Sequence, residues 1–241
     1  MARILALPIL LLIGLFGYAQ EEAKTNDQKD LSELSEKELK ELEEWNKAMK
    51  AYYYHRKTHF ESLPNTPNEI IFLGNSITDG AEWFELFDGN PNIKNRGIGG
   101  DDTDGILERL DEVTESNPAK IFLMIGTNDL AYGKSVDYVM ENYQKIISQI
   151  QDKTPQTKLY IESALPVDEK IHYTRPNKSL LEINERLKKI CKKNNLTYID
   201  LATPLTDDEG KLNPDYSFDG LHLSGDGYLV WKDLIIDYIN E

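Results

Sequence analysis

Ser76 stands in the stretch EIIFLGNSITDG, residues 69–80, where the apolar run 70–73 breaks at Gly74-Asn75-Ser76. A short apolar run closed by glycine reads as a buried strand, so the hydroxyl emerges at a strand end. A serine there is either a turn or cap residue or a nucleophile, and a nucleophilic serine needs a base. The chain has four histidines. His55 and His59 are spaced i, i+4 on a helical stretch, with Arg56 where a zinc-protease helix carries Glu. They read as a solvated face. His172 sits in the charged loop DEKIHYTRP without a motif, as a loop residue or a pocket lining. His222 lies in SFDGLHLSGDGY, three residues after Asp219. At that spacing a carboxylate can hold one imidazole nitrogen and leave the other to take a proton from a serine.

Two further stretches offer uncharged donors. NRGIGGDDT (95–103) has three glycines in four positions and lets backbone N–H groups approach a ligand. IGTND (125–129) presents the side-chain amide of Asn128. With the N–H of Ser76, the N–H of Gly100 and Asn128 form a candidate set of three donors for the negative oxygen of a tetrahedral intermediate. Each alone also reads as an ordinary turn.

The elements that must position these groups are legible from periodicity. Strand-like runs fall at 70–73, 92–95, 120–126, 158–163 and 196–201. Between them run amphipathic stripes: Ile106, Leu107, Leu110 and Val113, then Val136 to Ile150, then Leu180 to Ile190. A last helix is expected after Ser224. Strands alternating with helices imply a parallel sheet covered on both faces, with ligands beyond the carboxyl ends of its strands. Upstream, the apolar spacing predicts a helix from Leu31 to about Phe60, with Ser35 and Glu38 as a capping box, before Pro64 and Pro67 end it. Thr78 or Asp79 is the expected cap of the helix after the first strand.

Residues 1–19 read as a signal peptide: Arg3, an apolar run to Phe16 and a small-x-small pattern at Gly17-Tyr18-Ala19, implying cleavage near Ala19 and export to a periplasm, cell surface or medium. Residues 20–66 form a polar lead-in and the N-terminal helix. Residues 67–241 read as one domain of alternating strands and helices. Cys191 is the only cysteine, which excludes an internal disulfide and disfavours a Cys/His metal site; on its helix it reads as a core residue. The net charge of −15 disfavours nucleic acid and anionic membrane as partners.

Four blocks, GNSITDG with Ser76, GIGGDDT with Gly100, GTND with Asn128 and DGLH with Asp219 and His222, occur in the order and spacing of the SGNH (GDSL-type) hydrolases, which the chain resembles over about residues 67–241. The wording is similar to the branch of platelet-activating-factor acetylhydrolase catalytic subunits and bacterial acetyl esterases. Asn75 stands where the name-giving motif has Asp. The resemblance implies a three-layer, flavodoxin-like doubly wound parallel sheet of about five strands, with helices on both faces and an extra N-terminal helix. It also implies ester hydrolysis. The α/β-hydrolase elbow G-x-S-x-G lacks its second glycine, since position 78 is Thr, which disfavours that fold.

The expectation is an exported serine esterase with Ser76, His222 and Asp219 as its triad, needing no metal or organic cofactor. Short acyl esters, acetyl on carbohydrate or glycan, are the expected substrates. A lysophospholipase or thioesterase for longer chains and a non-catalytic carbohydrate-binding module on the same fold are the alternatives. Asn75, Trp83, Asp101, His172, Arg175 and Leu221 are candidates for substrate contact, and Tyr173, Tyr216 and Phe218 for stacking on a sugar ring. The tyrosine run 52–54 can pack on the sheet domain or mediate self-association.

Overall fold

The computed structural model describes residues 35–241. The signal-peptide expectation over 1–19, the polar lead-in 20–30, Leu31 and Leu34 lie outside the described residues. Five strands form one all-parallel sheet, β1 (Ile70–Gly74), β2 (Ile93–Gly97), β3 (Lys120–Met124), β4 (Lys158–Glu162) and β5 (Thr197–Ile199). Their order is β2-β1-β3-β4-β5, the flavodoxin-like doubly wound order. All five expected strands are present, with β2 running on to Gly97 and β3 stopping at Met124.

Strand side chains alternate between the two faces. Phe72, Phe122 and Tyr160 are in register across β1, β3 and β4. They form an aromatic row, with ring centroids 5.1 Å and 4.6 Å apart. Trp83 of the short helix α3 (Trp83–Leu86) stacks on Phe72 at 3.8 Å. Trp231 of α9 (Gly225–Asn240), the helix after the short α8 (Ala202–Leu205), meets Trp83 edge-on at 4.8 Å. The other parity presents Ile71, Leu73, Ile121, Leu123 and Ile161, all buried. On that side α4 (Thr103–Glu115), α6 (Val136–Lys153) and α7 (Asn177–Asn194) pack in succession. Burying each such side chain contributes roughly 1.5–3 kcal/mol, which makes the strand cores the main determinant of the fold. Cys191 is free and buried on α7.

Caps set the helix starts. Asp102, Ser135 and Ser224 accept from backbone N–H groups at the heads of α4, α6 and α9. The α2 start differs from expectation: Asn75, not Thr78 or Asp79, is the cap, accepting from Ile77 N–H at 3.0 Å. The Asn75 side chain is long enough to reach that N–H, so α2 (Ser76–Asp79) begins at the serine itself.

The N-terminal helix α1 (Glu36–Ser62) starts at the Ser35–Glu38 capping box. It packs on the sheet domain through its C-terminal half. Tyr52 and Arg56 bond the Asp79 carboxylate at 2.8 Å and 3.0 Å, and Tyr53 donates to the Gly105 carbonyl at 2.8 Å. Phe60 is covered by the guanidinium groups of Arg56 and Arg96 at 4.6 Å and 4.8 Å. No described helix is long and apolar enough to cross a membrane.

Candidate active site

The ends of β1 and β3 flank the point where the strand order reverses, which is where a doubly wound sheet opens a crevice. Ser76 follows β1 and Asn128 follows β3, on α5 (Thr127–Ala131). The Ser76 hydroxyl lies 2.9 Å from His222 Nε2, and His222 Nδ1 lies 2.7 Å from Asp219 Oδ2. An ionised carboxylate only accepts, so Nδ1 carries the imidazole proton and Nε2 faces the serine as an acceptor. The other Asp219 oxygen accepts from the backbone N–H groups of Leu221 and His222 at 2.9 Å and 2.8 Å. Burial works to raise the Asp219 carboxyl. The hydrogen bonds from the His222 ring and from these backbone donors outweigh it and hold the group far below the usual carboxylate range. Asp219 is therefore a fixed negative charge beside an imidazole that can take and return a proton.

The three candidate donors follow the ends of β1, β2 and β3. Ser76 is the first residue of α2, where an N–H has no acceptor within the helix. Gly100 sits at φ +79°, a left-handed conformation that turns the chain between β2 and α4. Asn128 is buried, and its amide is oriented from both ends. Nδ2 donates to the Asp101 carbonyl at 2.9 Å, and Oδ1 accepts from Arg175 Nη2 at 3.2 Å. A guanidinium only donates, so Arg175 fixes the amide oxygen toward itself and the NH₂ toward the glycine loop. Nδ2 carries a second N–H beyond its bond to Asp101.

The loops bearing these donors are joined from beneath. Arg109, on the buried face of α4, donates to the carbonyls of Gly74 and Arg96 at 3.1 Å and 2.8 Å and to the Asp101 carboxylate at 2.9 Å. One guanidinium thus ties the ends of β1 and β2 to the glycine loop. Asp129 accepts from the N–H and hydroxyl of Thr103, linking the β3 end to the head of α4. Burial pushes the Asp129 carboxyl up to about 6, with the Thr103 hydrogen bonds pulling against it. Residue-type reasoning missed Arg109, Thr103 and Asp129. The readable signal for Arg109 was a cation inside the stripe Ile106–Leu110–Val113, where a solvated residue does not belong.

The structure joins Ser76, His222 and Asp219 by hydrogen bonds, and joins Asn128 to the loop that carries Gly100 through the Asp101 carbonyl. The six candidates for substrate contact are all buried. Trp83 and Leu221 are buried in the core, Asn75 caps α2, and Asp101 pairs with Arg109. Proximity to a motif in sequence here marks side chains that shape the loops from behind. His172 is fully buried, and its Nε2–H donates to the Asp219 carbonyl at 2.8 Å. Burial, helped by the Arg175 charge, lowers its pKa against the pull of that carbonyl. Tyr173 and Phe218 are exposed, and Tyr216 is partly so. His55 and His59 are exposed on α1, and no described cluster of side chains could hold a metal ion. Beside Gly100, a cleft of about 650 Å³ opens between α1 and the β2–α4 loop, its lining stopping short of Ser76 and His222.

The model of the GDSL-like lipase/acylhydrolase family matches residues 72–230, more than half the chain. The chain is 30% identical over 168 residues to platelet-activating factor acetylhydrolase IB subunit alpha2 of Rattus norvegicus, covering 66% of this chain and 71% of that protein. Among solved structures, it superposes on a Streptococcus pneumoniae protein named for platelet activating factor with a TM-score of 0.75 and 29% identity, covering 86% of this chain and all (100%) of that one. A GDSL-like lipase of Bacteroides thetaiotaomicron matches with a TM-score of 0.69 and 26% identity over 79% of this chain and 98% of the other.

Proposed function

The chain belongs to the GDSL-like lipase/acylhydrolase family, and on that premise we propose that it is an exported serine esterase that removes short acyl groups, chiefly acetyl, from carbohydrate or glycan. The observation that carries the reading is the unbroken hydrogen-bond chain from Ser76 through His222 to Asp219, at 2.9 Å and 2.7 Å. Ser76 Oγ attacks the acyl carbonyl as His222 Nε2 takes its proton. The carbonyl oxygen, now negative, is held by the N–H groups of Ser76 and Gly100 and by Asn128 Nδ2. The intermediate collapses, the ester C–O bond breaks, and His222 gives its proton to the departing alcohol. Water then attacks the acyl-serine with His222 as base, the acid leaves, and Oγ regains its proton. Asp219 stabilises the imidazolium in both halves without itself taking the proton. The short-acyl preference is supported by the acetylhydrolase name of the rat relative.

A second reading, a hydrolase for longer acyl chains, is favoured by one observation, the partly apolar cleft beside Gly100. Ser76→Ala tests the common core. Turnover of p-nitrophenyl acetate is expected to vanish and labelling by a fluorophosphonate to be lost, with the melting temperature little changed, since Ser76 is only partly buried. Near-normal activity in that variant refutes the assignment of the nucleophile. Comparing the acetate with the octanoate ester in the wild type separates the two readings, and a strong octanoate preference defeats the short-acyl one.

A further inference from the structure

Loops between a strand and a helix usually run over the surface and move more than the elements they join. The loop between β4 and α7, residues 163–176, is built differently. Ser163, Ala164, Leu165, Val167, His172 and Arg175 are all buried. Two asparagines of α7 pin its first half. Asn184 bonds both backbone groups of Ala164, and Asn177 both backbone groups of Val167, each of the four bonds at 2.8 Å. Its second half folds on itself. The N–H groups of Ile171 and His172 donate to the Asp168 carbonyl at 3.0 Å and 2.8 Å, and Arg175 N–H donates to the His172 carbonyl at 2.9 Å. Bonded in this way, a displacement of His172 is passed on to Arg175.

This one loop reaches both halves of the site. Toward the triad, Asp168 N–H donates to the Gly220 carbonyl and His172 Nε2–H to the Asp219 carbonyl, both at 2.8 Å. Gly220 stands at φ +75°, and a side-chain carbon on it would lie 2.6 Å from Asp168 Cβ, so loop and turn are in contact. Both bonds go to the main chain of the turn and leave the Asp219 carboxylate free to hold the His222 ring. Toward the oxyanion donors, Arg175 Nη2 donates to Asn128 Oδ1 at 3.2 Å. Arg175 is 1% exposed. A guanidinium is costly to bury, and packing alone would be served at less cost by an apolar side chain. What the guanidinium adds is a donor of fixed direction.

We propose that the β4–α7 loop is a strap that sets the Asn128 donor and the Asp219–His222 pair relative to one another, with Arg175 acting through Asn128 and His172 through the main chain of Asp219. The inference rests on the esterase reading above. Both are positioning residues. Each aligns a group that works at the transition state, so its loss falls on kcat rather than on KM. Arg175 cannot be worth more than the donor it aims, whose removal costs ~10²–10³ in rate. Misalignment leaves part of that donor's effect in place, so a smaller loss, ~10-fold, is expected for either residue.

Steady-state kinetics on p-nitrophenyl acetate test this in Arg175→Met and His172→Leu, each alone and combined with Asn128→Ala. Alone, each should lower kcat ~10-fold with KM little changed. Combined with Asn128→Ala, Arg175→Met should lower kcat no further, because the group it acts through is gone. The loss from His172→Leu should shrink in that background, because part of it travels through the loop to Arg175. His172→Gln carries an N–H donor for the same carbonyl and should restore kcat, which a role in packing alone would not require. Arg175→Lys, which keeps a cation without the planar fork, is run in the same two backgrounds and carries the test if Arg175→Met does not fold. Unchanged kcat, changes confined to KM, losses as large on Asn128→Ala as alone for either residue, or equal activity of His172→Leu and His172→Gln overturn the proposal. A wild type with neither turnover nor fluorophosphonate labelling would instead refute the esterase reading, and proton NMR then judges the strap. The Asn128 side-chain amide resonances should shift in the Arg175 and His172→Leu variants, and the His222 Nδ1–H resonance should shift in His172→Leu and return in His172→Gln. Resonances that stay in place refute it.

Discussion

Asn128 illustrates how much a side chain's function depends on its neighbours. Its amide has one N–H on the Asp101 carbonyl and its oxygen on Arg175. Replacing it by alanine removes a donor to an oxygen that is negative only near the transition state, so Asn128→Ala should lower kcat by ~10²–10³ with a smaller change in KM. Steady-state kinetics decide this, and a change confined to KM would make Asn128 a ground-state contact. The donor type at position 128 could be read from GTND. The partner that aims it could not, because Arg175 arrives from a loop 47 residues away along the chain. His172 is similar. It lacks a motif because it serves a backbone carbonyl, that of Asp219, and such a role leaves no sequence pattern.

At the scale of elements, β2 and α2 approach so closely that only glycine fits between them. A side-chain carbon on Gly97 would lie 2.1 Å from the Asp79 N and 2.5 Å from its Cα, both backbone atoms that cannot swing aside. Gly97→Ala is thus expected to push α2, and Ser76 with it, away from His222. Stability should fall by ~1–3 kcal/mol, as for other overpacked sites, and kcat should fall as well. Thermal melts and kinetics on the same preparation check this, and an alanine variant with wild-type melting and turnover would show that the contact relaxes freely. The elements themselves were legible. Apolar runs marked the strands, and helical spacing marked α4, α6, α7 and α9, because burial imposes a period on each. The start of α2 was not, since several neighbouring residues can cap a helix and local geometry picks Asn75. The docking of α1 was also open, as its tyrosines suit a domain surface or a partner equally.

Across the whole molecule, Glu162 at the end of β4 is the group whose burial most directly couples stability to pH. It is 1% exposed and accepts from Trp231 Nε1 at 2.8 Å. Burial pushes its carboxyl up to about 8, with the Trp231 bond pulling the other way. In the unfolded chain a glutamate titrates near ~4.3. Between these values the folded protein keeps a proton that the unfolded chain has released, so stability falls as pH rises through that window. Glu162→Gln stays neutral and still accepts from Trp231. Its melting temperature, relative to the wild type, should therefore climb by several degrees from about pH 5 to about pH 8 and level off above, at ~2–4 °C per kcal/mol for a domain of this size. A difference that is flat with pH would mean that Glu162 is ionised in the fold.

From the sequence by itself came the chemistry on offer and its order along the chain: a hydroxyl at a strand end, a carboxylate three residues before an imidazole, glycines and an amide after the next strands, and the alternation that makes a parallel sheet. These are local facts, fixed by residue type and by the period that burial demands. Only the tertiary structure decided which side chains stand behind those groups. It turned the residues nominated for substrate contact inward, made Arg109 the tie between two strand ends and the glycine loop, and laid α1 beside Gly100. Each of those outcomes depends on segments far apart in the chain competing for the same space and the same hydrogen-bonding groups, and spacing along one segment carries no record of that competition.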